Sequence, residues 1–180
     1  VFLMRVAIAM LTCTVPLWAQ GGLRYPIPDE VGSILAMQED SHGFLWVGAE
    51  EGLFRFDGHR FQPVGRWAGL AQERVQVLAI SPVDGAVWIG LPSGLYRLRD
   101  AKAERMSEKP VTDLVWVGLG MMAAVPDAGL LFWHREGERW VHTLHGMKPA
   151  PRYLHPMLDQ AGFTYAEGPV VRQVLWPGGR

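Results

Sequence analysis

Histidines and carboxylates are the residues of this sequence that could do chemistry, because imidazole nitrogens and carboxylate oxygens bind metal ions and transfer protons. Two of the six histidines, His142 and His145, lie three residues apart. A zinc site of the His-Glu-x-x-His type needs a helix and a glutamate between the two histidines, and the segment around His142 instead predicts a strand end followed by a loop. The other histidines are interpreted as isolated turn or loop residues: His42, His59, His134 and His155.

The aspartates and serines fit turns better than catalysis. Asp40, Asp57 and Asp159 fall at repeat-equivalent or hairpin turns, where a carboxylate accepts hydrogen bonds from backbone N–H groups and closes the turn. No nucleophile elbow or phosphate-binding loop surrounds the serines considered as nucleophiles: Ser33, Ser41, Ser81, Ser93 and Ser107. We therefore assign no catalytic, cofactor-binding or metal-binding residue, and we expect no cofactor.

The composition predicts a folded, all-β chain. Of the 180 residues, 49% are hydrophobic and 19% charged, which is typical of a protein with a packed core. The 8 tryptophans, 21 glycines and 13 prolines favour short strands and tight turns over long helices. The formal net charge is -1, with charges of both signs interspersed, so nucleic acid is not an expected partner.

Residues 1–19 have the layout of a secretory signal peptide. Arg5 precedes an apolar run over residues 6–15, and the small residue Ala19 marks the expected cleavage site. An uncleaved membrane anchor is the alternative, although such a span needs about 20 apolar residues. The single cysteine, Cys13, lies in this segment, so the remaining chain has no thiol or disulfide. We expect a periplasmic or other extracytoplasmic location.

A repeat organises the rest of the chain. Residues 43–48, GFLWVG, and 52–56, GLFRF, recur at an offset of 42 as GAVWIG and GLYRL. A third copy over residues 121–133 follows at an offset of 35 without the tryptophan, and a fourth begins at residues 159–166. A period near 40 residues is typical of repeat architectures.

Each unit predicts four short strands. In the first, the strands are residues 34–38, 44–48, 53–56 and 60–64, and Asp57-Gly58 predicts a two-residue type I′ hairpin. In the second, they are residues 75–80, 86–90, 95–99 and 104–106. Residues 25–27 resemble a further outer strand that belongs to another unit.

One four-stranded sheet cannot bury both of its faces, so we predict a partial β-propeller of about four blades. Trp46 and Trp88 are expected between adjacent blades, and the equivalent Arg55 and Arg97 are expected to make one repeated structural contact. A parallel β-solenoid is the alternative fold. The predicted propeller domain covers residues 22–180, with blades at residues 31–64, 75–106, 111–143 and 152–176.

The first unit carries a family resemblance. Its pattern runs Asp40-x-x-Gly43-x-Leu45-Trp46-Val47-Gly48, then Gly52-Leu53-x-Arg55-Phe56-Asp57-Gly58 and Phe61. This resembles the repeat of two-component regulator propellers, which form the extracytoplasmic sensor regions of hybrid histidine kinases and sensory diguanylate cyclases. The match is close in the first unit, good in the second and weak in the other two.

The resemblance implies a sensor propeller that passes a signal to a kinase or cyclase module outside this chain, in a homodimeric receptor. The chain itself is then no enzyme. A stand-alone periplasmic binding or scaffold propeller is the first alternative, and a lyase-type propeller enzyme is the second. The expected ligand is a small molecule or saccharide that the sequence does not identify.

Two loops between units are the candidate binding segments, because propellers bind ligands through loops at the ends of the channel. The first covers residues 65–74 and holds Arg66 and Trp67. Trp67 could stack on a sugar ring or instead cover a neighbouring blade. The second covers residues 144–152, and its polar residues are His145, Lys148 and Arg152.

Overall fold

Strands dominate the computed structural model, which describes residues 24–126, 128–136, 139–145, 154–156, 162–167 and 170–175. These residues form 15 strands and one four-residue helix, α1 (Gly65–Ala68). The all-β prediction is therefore confirmed. The predicted signal peptide lies outside the described residues.

The strands form four separate antiparallel sheets, and each sheet is built from one sequence unit. Sheet 1 contains β1 (Ile34–Glu39), β2 (Leu45–Ala49), β3 (Gly52–Phe56) and β4 (Phe61–Pro63). Sheet 2 contains β5 (Val77–Ile80), β6 (Val87–Leu91), β7 (Gly94–Arg99) and β8 (Lys102–Ser107).

Sheets 3 and 4 follow the same order. Sheet 3 contains β9 (Asp113–Val117), β10 (Gly120–Val125), β11 (Gly129–Glu136) and β12 (Arg139–His145). The described part of sheet 4 has three strands, β13 (Leu154–Pro156), β14 (Gly162–Glu167) and β15 (Val170–Leu175). Within each sheet, strands adjacent in sequence pair antiparallel, which excludes the parallel solenoid.

The sheets pack face to face through their apolar side chains. Trp46 of sheet 1 joins a buried cluster with Val87 and Leu98 of sheet 2. Trp88 of sheet 2 packs against Trp133 of sheet 3, with ring centroids 6.2 Å apart. The prediction that these two tryptophans lie between units is confirmed. The third unit lacks a tryptophan at the repeat position, but Trp133 supplies an indole to the same interface.

Two repeat glycines allow this close packing. A Cβ atom at Gly48 would lie 2.6 Å from Val75 Cγ1, and one at Gly90 would lie 2.5 Å from Val77 Cγ1 and 2.7 Å from Val111 Cγ2. Val75 and Val111 belong to the segments that lead into the next sheet. A side chain at either glycine would therefore push an incoming segment away.

The hairpin prediction at Asp57-Gly58 is wrong. Phe56 pairs with Phe61, so the loop spans residues 57–60 and is twice the predicted length. The Asp57 carboxylate stabilises this wider turn, because its Oδ1 accepts hydrogen bonds from the N–H groups of His59 and Arg60 at 2.9 Å each.

The two-residue turn occurs in sheet 2 instead. There Arg99 pairs with Lys102, and the central residues Asp100 and Ala101 have φ values of 50° and 63°. Positive φ at both central residues is the mark of a type I′ turn. The turn forms without the Asp-Gly dipeptide on which the prediction for sheet 1 depended.

The expected outer strand over residues 25–27 is not a strand in the structure. Tyr25 instead packs edge-on against Phe56 of sheet 1, with ring centroids 5.0 Å apart. The contact is made by the side chain, and the backbone of this segment joins no described sheet.

Candidate functional site

A cleft of about 390 Å³ opens between sheets 1 and 2, and we call it the inter-sheet cleft. Its walls come from the β1–β2 turn and β3 of sheet 1, from α1, and from the β5–β6 and β7–β8 turns of sheet 2. The lining residues with polar or aromatic side chains are Asp40, Ser41, His42, Trp46, Arg55, Trp67, Asp84, Arg99 and Asp100.

Asp40 organises the sheet 1 wall. Its Oδ1 accepts the backbone N–H groups of His42 at 2.9 Å and Phe44 at 3.1 Å, and its Oδ2 accepts the indole N–H of Trp46 at 2.9 Å. Burial opposes ionisation, but these hydrogen bonds outweigh it and hold the pKa of Asp40 below its ordinary value. The predicted turn role is confirmed for Asp40 and, through the loop described above, for Asp57.

Asp84 organises the sheet 2 wall. Its Oδ2 lies 2.5 Å from Arg97 Nη2 and 3.7 Å from Arg99 Nη1, and its Oδ1 accepts the N–H of Ala86 at 3.3 Å. Burial works against the charged carboxylate, yet hydrogen bonds from Ser81 and Arg97 hold the pKa of Asp84 below its ordinary value. The side chains of Asp84 and Arg97 are 7% and 9% exposed, so this ion pair is buried.

Arg55 and Arg97 occupy equivalent positions, opposite Trp46 and Trp88 on the neighbouring strands. The predicted repeated contact is present as this shared cross-strand arginine–tryptophan pairing, but the other partners of the two arginines differ. Arg97 pairs with a carboxylate, whereas the guanidinium carbon of Arg55 lies 3.5 Å from the centroid of the Phe44 ring.

The repeat offset explains the difference. Position 42 of the first unit is a histidine, and the equivalent position in the second unit is Asp84. Position 44 is a phenylalanine, and the equivalent residue is Ala86. The arginine of sheet 2 therefore contacts a carboxylate, Asp84, and the arginine of sheet 1 contacts an aromatic ring, Phe44.

Trp67 forms part of the cleft wall and is 53% exposed. Its indole N–H donates to the Pro63 carbonyl at 3.0 Å, and this bond fixes the orientation of the ring. Trp67 thus lines the cleft together with residues of sheet 2 and exposes about half of its surface to solvent, and its role in binding remains a prediction.

The described histidines form no metal-binding group. The His42 and His59 positions are exposed turns, as predicted. His134 is not isolated, because its Nε2 lies 3.4 Å from Glu136 Oε1 and its ring stacks on Phe132. His142 and His145 both lie in β12. Among the described residues, no group of three histidine, cysteine or carboxylate side chains could hold a metal ion.

Several sequence candidates lie where the structure describes no side chain. Residues 1–19, Lys148, Arg152 and Asp159 fall outside the described residues, and the side chains of Arg66, His145 and His155 are not described. The second candidate loop, residues 144–152, therefore remains a prediction. In the described portion of the chain, no helix has the length and hydropathy needed to cross a membrane.

Sequence reasoning missed Asp84, Arg99 and Asp100. Asp84 could have been found, because it is the acidic residue that the offset of 42 places against His42. Arg99 and Asp100 reach the cleft only because the β7–β8 turn of sheet 2 lies beside sheet 1.

Comparison with known proteins shows what the four stacked sheets are. The extracellular domain of BT3049 from B. thetaiotaomicron, described as a hybrid two-component system, aligns with a TM-score of 0.62 at 16% identity over 86% of this chain and 27% of that one. The chain is a partial β-propeller. The propeller also aligns with the extracellular domain of BT4673 from the same organism, described as a one-component system, with a TM-score of 0.61 at 15% identity over 74% of this chain and 20% of that one.

The same fold occurs in other functional classes. An ancestral GH74 enzyme aligns with a TM-score of 0.60 at 13% identity, over 79% of this chain and 22% of that one. This propeller thus spans about a quarter of the length of these structures or less. No protein-family model and no curated protein matches the sequence. Likeness at this level of identity shows the fold, and function must be argued from the site.

Proposed function

We propose that this chain is the extracytoplasmic sensor propeller of a bacterial two-component receptor, and that it binds a small molecule or saccharide and passes a signal to a histidine kinase or diguanylate cyclase module. The observation that carries the proposal is the inter-sheet cleft, an open and polar site between two propeller sheets. The first-unit motif and the extracellular receptor domains among the structural neighbours support it.

The position of the cleft suggests how a signal begins. Its lining residues come from both sheets, so a ligand that bridges them favours one packing of sheet 1 against sheet 2 over others. A ligand shifts a conformational equilibrium only through such differential contacts. In a homodimeric receptor, the shift would then bias the output modules between two states.

The receptor proposal is tested by the reading frame downstream of codon 180. We expect further repeats, then an apolar helix, then a kinase or cyclase sequence. A stop codon after a few more repeats contradicts the receptor and favours a stand-alone binding or scaffold propeller.

The extracytoplasmic location is tested separately. Residues 1–30 are fused to an alkaline phosphatase that folds only outside the cytoplasm. We expect phosphatase activity and a product shortened by cleavage after Ala19. An Arg5→Glu change in the charged region lowers export if the segment is a signal peptide. A fusion that stays inactive contradicts the location.

A further inference from the structure

We propose that the inter-sheet cleft binds a small organic carboxylate, with Arg55 as the residue that holds the carboxylate group. The inference rests on the proposed ligand-binding function and names the site and the ligand chemistry. Of the two arginines that line the cleft, Arg99 has carboxylate partners and Arg55 has none among the described residues.

Arg55 carries a positive charge that the described residues do not neutralise. No carboxylate of the described chain lies within 4.0 Å of its nitrogens, although ion pairs form around Arg60, Arg97, Arg99 and Arg105. Its Nε is buried and has no hydrogen-bond partner in the described structure. Guanidinium groups partly removed from bulk water are normally paired with carboxylate or phosphate, and no described carboxylate pairs with this one.

Arg97, the residue of sheet 2 equivalent to Arg55, indicates the kind of partner that Arg55 would bind. In sheet 2, Asp84 Oδ2 lies 2.5 Å from Arg97 Nη2 and fills the same role internally. In sheet 1, His42 takes the place of that aspartate, with its side chain 79% exposed. The second unit therefore places a carboxylate beside its arginine, and the first unit has no carboxylate at the equivalent position.

The carboxylates already in the cleft are committed elsewhere. Asp40 accepts three hydrogen bonds from its own turn and from Trp46, and Asp84 is bound by Arg97 and Arg99. The Phe44 ring covers one face of the Arg55 guanidinium, which leaves the edge for recognition. The edge of a guanidinium matches the two oxygens of a carboxylate in a bidentate pair.

Trp67 indicates the chemistry of the part of the ligand that is not the carboxylate group. It offers a flat apolar surface on another wall of the same cleft, with the ring fixed by its bond to Pro63. A cleft of about 390 Å³ lies at the small end of the range for small-molecule sites. The ligand class is thus a carboxylate attached to a compact ring, either an aromatic acid or a sugar acid.

The test is calorimetric titration of the full 180-residue chain with benzoate and glucuronate, and with glucose as the uncharged control. We expect saturable binding of at least one acid and none of glucose at the same concentration. The acid that binds distinguishes the two ring types. Absence of binding by both acids overturns the proposal.

Two variants locate the carboxylate. Arg55→Gln removes the charge, and His42→Asp gives Arg55 an internal carboxylate as in sheet 2. Each is expected to weaken acid binding by about 10- to 100-fold, the loss of one charge-assisted hydrogen-bonded pair. Arg60→Gln is the matched control, because it removes an arginine charge outside the lining of the cleft, and it should bind like the unmodified chain.

The outcomes separate this inference from the proposed function. If Arg55→Gln fails to fold by circular dichroism, His42→Asp decides, because it changes an exposed turn residue. Acid binding that is unchanged in His42→Asp overturns the role of Arg55. The receptor proposal fails by its own test, the downstream reading frame, whatever the titrations show.

Discussion

Asp84 and Arg97 form a buried ion pair within sheet 2, with Oδ2 and Nη2 2.5 Å apart. The pair joins the β5–β6 turn to β7, the strand that lies next to β6 in the sheet. A buried charge left without its partner costs much more than an exposed one. The pair is therefore a point at which the stability of this propeller can be tested.

We expect Asp84→Asn to lower the free energy of unfolding by about 3 to 5 kcal/mol, because the buried Arg97 guanidinium loses this carboxylate charge. The matched control is Asp100→Asn, which changes an aspartate that is 90% exposed and 3.5 Å from Arg99. The control should cost less than about 1 kcal/mol. Urea denaturation measures both, and equal losses would contradict a structural role for the buried pair.

Acid should weaken the fold through the same carboxylates. The pKa values of Asp40, Asp57 and Asp84 lie below the ordinary value of 3.8 in the folded chain. Each therefore contributes stability that is complete above the unfolded pKa and is lost as the pH falls through the folded pKa. We expect the free energy of unfolding to fall below about pH 4, and to fall less steeply in Asp84→Asn. A stability independent of pH in this range would contradict it.

Gly90→Ala should destabilise the packing of sheet 2 against sheet 3, by about 1 to 3 kcal/mol. The new methyl group would meet Val77 and Val111 at 2.5 and 2.7 Å. Gly65→Ala is the control, since its Cβ would have only ordinary contacts, the nearest at 3.9 Å. This control should leave stability unchanged or raise it by up to about 1 kcal/mol. Thermal melts of both variants decide, and similar melting temperatures would argue against the close approach.

Ala101→Gly should stabilise the chain. Ala101 has φ 63° in the type I′ turn, which costs a residue with a Cβ about 1 to 2 kcal/mol, and glycine relieves this strain. The greater freedom of glycine in the unfolded chain offsets about 0.5 to 1 kcal/mol. We expect a net gain of up to about 1.5 kcal/mol in urea denaturation. Ala103→Gly in β8 makes the same substitution in a strand and should instead lower stability.

Most of the fold can be predicted from the repeat motif. The motif at residues 43–56 recurs at an offset of 42. Its glycines, aromatic residues and turn residues predict the strand order and the position of Trp46 and Trp88 between sheets. Such a pattern works because side chains alternate across a strand and turns need particular residues. It failed at Asp57-Gly58, where the carboxylate formed hydrogen bonds that a dipeptide rule does not include.

The site was predicted only in part. The sequence points to Trp67, which lies in a connection between units, but not to Asp84 and Asp100, which lie in turns within the second unit. The pairing of Arg97 with Asp84, and the lack of such a pair at Arg55, depend on which side chains face each other across a turn and a strand. Equivalent positions in a repeat predicted equal contacts, and substitutions at neighbouring positions changed them.

By itself, the sequence determined the all-β class, the repeating four-strand unit and the residues that face between sheets, because periodicity and turn chemistry act over a few residues. Only the tertiary structure decided that Arg55, Trp67, Asp84 and Arg99 line one cleft. These residues come from two sheets and the connection between them, and stacking brings them together. Their distances depend on how two separate sheets pack, which no local pattern encodes.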